Sequence, residues 1–303
     1  MMEAVTELTW NLSRDVQQLF AYHFMVNAFR AGTVVAVVAA AVGWLMVLRR
    51  ASFAGHTLAV VSFPGAAGAV WLGISITAGY FAASIAAALV IAMVPGSRGG
   101  GTSRASAVIG TVQAFALACG VLFVSLYGGL LDSVTGLLFG SFLGVSDSQV
   151  VTLLVVGAGV LAVLAAIGRP LFFASVDPDV ASARGVPVRL LGVVFLVLLG
   201  TTAAEVSQIT GALLVFALLV MPAAAAQQLT ARPGWSLALS VLLALLVTWA
   251  GLVAAYFSTY PVGFYVTTFG FAAYGLSAAG RSLSEWIGTR GRPGLAPRLA
   301  VDR

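Results

Sequence analysis

Long apolar stretches recur from one end of this sequence to the other, and charged residues are almost confined to the gaps between them. The stretches lie at about 26–48, 56–73, 74–94, 106–127, 149–168, 189–204, 209–229, 235–256 and 261–280. A helix of roughly 20 residues crosses the ~30 Å hydrocarbon core of a bilayer, and most of these stretches reach that length. Of the 303 residues 60% are hydrophobic and 8% are charged, against about 45–50% and 25% in a soluble domain. So few polar residues cannot cover a water-facing globule, and lipid must be the solvent for most of the chain. The fold class is an all-α integral membrane protein. The stretches at 56–73 and 189–204 are short, which leaves the count open at eight or nine transmembrane helices.

The charges orient these helices. All 15 basic residues are arginine, there are 10 acidic residues, and the net charge is +5. With nine crossings, Arg49 and Arg50, Arg98 and Arg104, Arg169, Arg184 and Arg189, Arg232 and the arginines of the tail fall on one side, which the positive-inside rule makes cytoplasmic. Only Arg14 and Arg30 lie near the other face. The expected protein is multi-pass in the cell (plasma or inner) membrane with a cytoplasmic C-terminus, and its arginines mark orientation rather than nucleic-acid binding. A phosphate-binding loop of the form G-x-x-x-x-G-K-[ST] needs a lysine, and the chain has none. ATP-driven work would therefore draw on another subunit. Cys119 is the single cysteine, so no intrachain disulfide forms.

One polytopic domain is expected over 1–280. Residues 1–24 form an interfacial amphipathic segment and 281–303 a basic, disordered cytoplasmic tail. Early acids and the lack of an A-x-A-like site argue against a cleaved signal peptide. Segment 128–148 is too short in apolar residues to cross, and counting it would invert the arginine sides of everything after it. A re-entrant or broken helix fits better. Gly136, Gly140 and Gly144 lie four apart and would share one helix face, either for packing or along a pathway.

The longest polar interruption, RPLFFASVDPDVASARGVPVR, spans 169–189. Asp177 is suited to cap a helix, Pro178 to begin it, and Asp179 to lie near its positive end. Arg184 belongs in its last turn, Gly185 can adopt the left-handed terminating conformation, and Pro187 prevents continuation. These signals predict a short helix over 178–184, more fully specified than a plain connection needs, as for docking a cytoplasmic partner.

Four segments resemble the membrane permeases of manganese/zinc-type ABC importers: VLRRASFAGHTLAVVSFPGAAGAVWLG (47–73), SVDPDVASARGVP (175–187), ITGALLVFALLVMPAAAAQQL (209–229) and YFSTYPVGFYVTTFGFAAYGLS (256–277). The likeness covers about 25–280. It implies a homodimeric permease that moves a divalent metal ion inward, supplied by an extracytoplasmic metal-binding protein and driven by cytoplasmic ATPase subunits. ATP would bind the partner, and this chain would hold no permanent cofactor. The 178–184 helix would be the coupling helix.

The resemblance also identifies a departure. Its second helix carries an Asp and a His four residues apart, where both reach one ion. The matching positions here are His56 and Val60. A lone imidazole suits zinc, copper, nickel or iron better than manganese, and near the membrane edge His56 can equally serve as an interfacial or capping residue. Glu205 follows the 189–204 stretch and is either a pathway carboxylate or a surface residue at the outer edge. Asp132 and Asp147 read as turn or cap residues and His23 as interfacial. The readings left standing are a divalent-metal permease, a permease of the same architecture for a metal chelate or small organic cargo, and an ATP-independent transporter or channel. A membrane-embedded enzyme would need clustered catalytic side chains, and the two histidines are far apart.

Overall fold

A computed structural model describes residues 12–93, 103–127, 138, 140, 142–212 and 214–290. Among these, every regular element is helical. A short helix α1 (Leu12–Ala21) leads into α2 (His23–Leu48), α3 (Ser52–Leu72), α4 (Ile76–Met93) and α5 (Ser103–Tyr127). A 3-10 turn at Phe142–Gly144 precedes α6 (Asp147–Val176), the six-residue α7 (Pro178–Ala183), α8 (Val188–Thr210), α9 (Val215–Leu229), α10 (Pro233–Tyr256) and α11 (Val262–Arg290). Eight of the helices are long and apolar enough to cross a membrane, while α9 has 15 residues, about 22 Å of helix. The alternatives of eight and nine thus come down to this one short element.

Helix α2 lies at the centre, packed against α6, α8, α9 and α10. Its buried face is built from Ala28, Ala31, Gly32, Ala36, Ala39, Ala40 and Gly43 among other residues, small enough for several backbones to approach at once. Helices α3, α4 and α5 form a second group, joined to the first largely through α8, which touches α2, α3, α4 and α6. The outer faces of α5, α6 and α10 remain apolar and exposed, as in Phe115, Val121, Val155 and Leu242; a lipid-facing surface needs no polar cover.

Segment 128–148 lies largely outside the described residues, including Gly136 and Asp132, so the re-entrant helix and a three-glycine face are not traceable through it. Gly140 is described, and it departs from the helical geometry expected of that face. Its φ is +73°, and a Cβ there would come within 2.2 Å of the Ile209 carbonyl oxygen and 2.3 Å of the Gly211 nitrogen. The chain after α8 is itself irregular, with Gly211 at φ +73° and buried. The two irregular stretches pack on each other, which satisfies the requirement that non-helical backbone in a membrane protein be enclosed by protein. Two glycines of different helices meet elsewhere, between α3 and α4. A Cβ on either Gly65 or Gly79 would fall 2.4 Å from the other's carbonyl oxygen.

The C-terminal bound of the helical bundle departs from the expected one. Helix α11 continues through Arg290, ten residues past the boundary set at 280, with no proline to break it before Pro293; 291–303 lie outside the described residues. At the start, α1 carries apolar residues such as Leu19 and Phe20 beside polar ones such as Gln17 and Gln18, consistent with an interfacial helix.

Replacing Gly79 by Val is expected to separate α3 from α4 and lower stability by about 1–3 kcal/mol, the usual range for overpacking. Thermal unfolding in detergent checks this, with Ala78→Val as the comparison.

Candidate transport pathway and coupling helix

The loop after α6 folds as its sequence predicts. The Asp177 side chain accepts a hydrogen bond from the Val180 N–H at 3.0 Å, Pro178 is the first helical residue, and Asp179 lies in the first turn. Helix α7 ends at Ala183, so Arg184 is its cap residue instead of a last-turn residue. Gly185 then turns to φ +82°, its N–H donating to the Ser182 carbonyl, while Val186 N–H donates to Ala181. This paired pattern closes a helix only where the residue after the cap can take a left-handed conformation. A Cβ at Gly185 would meet nothing within 4 Å, so glycine is required there for the backbone alone. Ala181 is fully buried and seats the helix, whereas Pro178, Asp179, Val180, Ser182, Arg184 and Gly185 are exposed. The result is a short helix closed at both ends, with an exposed outer surface.

Arg49, which the sequence presents simply as one of a charged pair, anchors this projection. Its side chain is 9% exposed, donates to Ser175 Oγ at 2.8 Å, and lies 5.1 Å over the Phe195 ring of α8. Ser175 is two residues before the Asp177 cap, so the α2–α3 corner is tied directly to the root of α7. Arg50 completes the corner with φ +55°. No spacing rule could have found this contact, because Arg49 and Ser175 are 126 residues apart.

His56 lies one turn into α3, half-buried, its ring 5.3 Å from Phe216 of α9 in an edge-on arrangement. Thr57 beside it donates to Gln113 of α5 at 2.8 Å. Val60 is 5% exposed and offers no side-chain ligand. Pro64, inside α3, has no N–H to give to the carbonyl four residues earlier, so the Val60 position keeps an oxygen without its helical donor.

Glu205 is not at an outer edge. Helix α8 continues to Thr210, beyond the apolar stretch that ends at 204, because the polar residues after it are buried against neighbours; Ser207, for one, accepts from Ser62 at 2.8 Å. Glu205 is fully buried, and neither carboxyl oxygen has a hydrogen-bond partner. It faces Gly157 of α6, where an added Cβ would sit 2.8 Å from Oε1 and within 3.1 Å of Val34 and Val38 of α2. Its surroundings are thus the α2–α6–α8 seam, whereas His56 packs against α9. Among the described residues no three His, Cys, Asp or Glu side chains form a group able to hold a metal.

At the end of the bundle away from α7, His23 and Asp147 meet. His23 Nε2 is 3.0 Å from Asp147 Oδ1, and Asn27 donates to the same oxygen at 2.9 Å. Asp147 is the first residue of α6, with Ser146 as its cap, and joins the start of α6 to the start of α2.

The arrangement just described, a small-residue helical bundle with one capped projection, coincides with a known family. The sequence profile of the ABC 3 transport family matches residues 21–279. The chain belongs to the ABC 3 transport family. Within this family the manganese import system permease protein ScaB of Streptococcus parasanguinis is 31% identical over 256 residues, covering 83% of this chain and 89% of that one. The chelated iron transport system membrane protein YfeC of Yersinia pestis is 31% identical over 246 residues, covering 81% of each. A solved structure of PsaBC from Streptococcus pneumoniae in complex with Fab superposes with a TM-score of 0.78 at 26% identity, covering 88% of this chain and 95% of that one. The ABC 3 assignment makes this chain a membrane-embedded transport subunit.

Two substitutions test the geometry. Arg49→Met keeps most of the side-chain volume but removes the bond to Ser175, and is expected to lower stability by about 1–3 kcal/mol, as for a lost hydrogen bond to a charged group. Glu205→Met removes two buried, unpartnered oxygens and is expected to raise stability by about 1–3 kcal/mol; thermal unfolding of the purified protein reads both.

Proposed function

We propose that this chain is the permease subunit of an ABC importer that carries a divalent metal ion of the zinc or manganese class inward, powered by separate ATPase subunits. The observation that carries the reading is α7: a six-residue helix capped at both ends and bolted by Arg49 to the α2–α3 corner in an ABC 3 transport family chain. A projection so constrained transmits displacement as a rigid lever. In this reading Asp177, Pro178, Asp179, Arg184 and Gly185 form the surface and frame that an ATPase engages, and the α7 side is cytoplasmic. That side also receives Arg49, Arg50, Arg169, Arg184, Arg189 and Arg232, consistent with the charge asymmetry of membrane insertion. A homodimer fed by an extracytoplasmic metal-binding protein completes the assembly, and the manganese importer ScaB supports the cargo class.

Cargo contact centres on His56, the one exposed-edge imidazole on α3, with Thr57 and the donor-free Val60 carbonyl on the same helix. Nitrogen with few oxygens favours a zinc-like ion over manganese. Glu205, sealed in the α2–α6–α8 seam, would reach the cargo only when that seam opens.

One observation favours a second reading, a permease for a chelated metal. Val60 is apolar and the described residues hold no three-ligand group, and a cargo that brings its own ligands needs none. The relative YfeC is a chelated iron transport protein.

The elemental content of cells lacking this chain, complemented with wild type or His56→Ala under metal limitation, separates the two. Under the first reading one divalent metal falls in the deletion and returns with wild type but not with His56→Ala. Rescue by both proteins would move the assignment to a chelate. In the same assay Gly185→Val, whose backbone conformation costs a β-branched residue about 1–2 kcal/mol or more, is expected to insert normally and lose transport. Full transport by that variant would remove α7 as the coupling element.

A further inference from the structure

Arg30 lies on the side of the bundle where, Arg14 apart, this chain avoids arginine. It is the eighth residue of α2, about 10 Å along a helix that is about 39 Å long. A helix of that length overshoots a ~30 Å core by several ångströms at each end, so Arg30 begins just inside the hydrocarbon, with its head within reach of the headgroups. An arginine there costs insertion energy and opposes the charge asymmetry of the rest of the chain. It is exposed, and no carboxylate forms an ion pair with it among the described residues. Asp147, on the neighbouring helix end, is engaged by His23 and Asn27.

The surface around Arg30 is a cleft. Helices α6 and α10 both pack on α2, but not substantially on each other, so α2 forms the floor of a seam open to the membrane. Near Arg30 the seam widens to a groove of about 580 Å³ lined by Phe29, Val34, Val150, Leu154 and Trp249, under a lip made by Phe20 of α1. The Trp249 indole N–H is already used, donating to Thr33 at 3.0 Å. Arg30, which lies within electrostatic reach of Asp147 but forms no ion pair with it, is the one charged group on an otherwise apolar wall. The same seam holds a second groove of about 460 Å³ at its α7 end, again with a tryptophan and an arginine, Trp44 and Arg169. Grooves at both ends of one seam, each lined mainly by apolar side chains and by one arginine, have the shape and charge of lipid sites.

We propose that the α6–α10 seam is a phospholipid-binding site, in which Arg30 holds the phosphate of an anionic phospholipid and an acyl chain lies along Val34, Leu154 and Trp249 beneath Phe20. Arginine binds phosphate oxygens through paired donors and is always charged. The acyl chain gains contact with a preformed wall that would otherwise pack poorly against mobile lipid. The bound lipid fills the space between α6 and α10 and so supports the α2–α6 contact next to Glu205, since Val34 borders both.

Native mass spectrometry of the purified full-length chain, titrated with phosphatidylglycerol or phosphatidylcholine in mixed micelles, tests this. Wild type is expected to retain phosphatidylglycerol in preference. Arg30→Gln should weaken that retention roughly tenfold, as for one lost charge-assisted hydrogen bond, and leave phosphatidylcholine adducts unchanged. Equal phosphatidylglycerol retention by wild type and Arg30→Gln would overturn the proposal. Leu154→Trp fills the groove while keeping Arg30, and should also lose the adduct. If it instead keeps the lipid but loses a dimer, the seam belongs to a second copy of the chain and the proposal fails.

Discussion

Every backbone N–H and C=O inside hydrocarbon must find its partner within the protein, because lipid supplies none. That constraint makes each crossing a helix, and it makes each interruption informative. The chain breaks helical geometry at Gly140 and at Gly211, and the two breaks are packed together, with no room for a Cβ at Gly140. Pro64 withdraws a donor from α3 four residues after Val60. Polar side chains obey the same economy: Ser62 bonds Ser207, Trp44 bonds Ser236, and Gln227 bonds the Trp44 carbonyl, linking helices that are distant in sequence. Against this background Glu205 stands out, with two unpartnered oxygens facing α2 and α6.

Features written in local residue order were legible before any coordinates. Asp177, Pro178 and Gly185 specify α7 through neighbours within eight positions, and the helix forms one residue shorter than those signals indicate. The crossings follow from length and hydropathy alone, apart from α9, whose start is delayed to Val215 by the buried turn after Gly211. Contacts between distant segments were not legible. Arg49 resembles any topogenic arginine until Ser175 and Phe195 are placed beside it. Glu205 looks like an edge residue because the polar run after it reads as the end of a span, whereas that run is buried by α3 and α4. Asp147 reads as a cap, yet Ser146 caps α6 and leaves the carboxylate for His23. The glycines that bring α3 and α4 together, Gly65 and Gly79, lie in different helices, so no spacing within one helix marks them.

The fold thus conforms to the ABC 3 transport family, while the two positions at which the resemblance leads one to expect an Asp and a His are His56 and Val60. On the proposed reading this pair would shift the preferred ion without disturbing the bundle, because both positions lie on a helix that packs through Gly65 and Ser62.

The account stands most directly on ATP-driven movement of metal. Proteoliposomes containing this chain with its ATPase and binding protein, loaded with a metal-sensing dye, should accumulate one divalent ion only when ATP is present on the α7 side. Metal entry that proceeds equally without ATP would contradict it, making the chain a channel or secondary transporter.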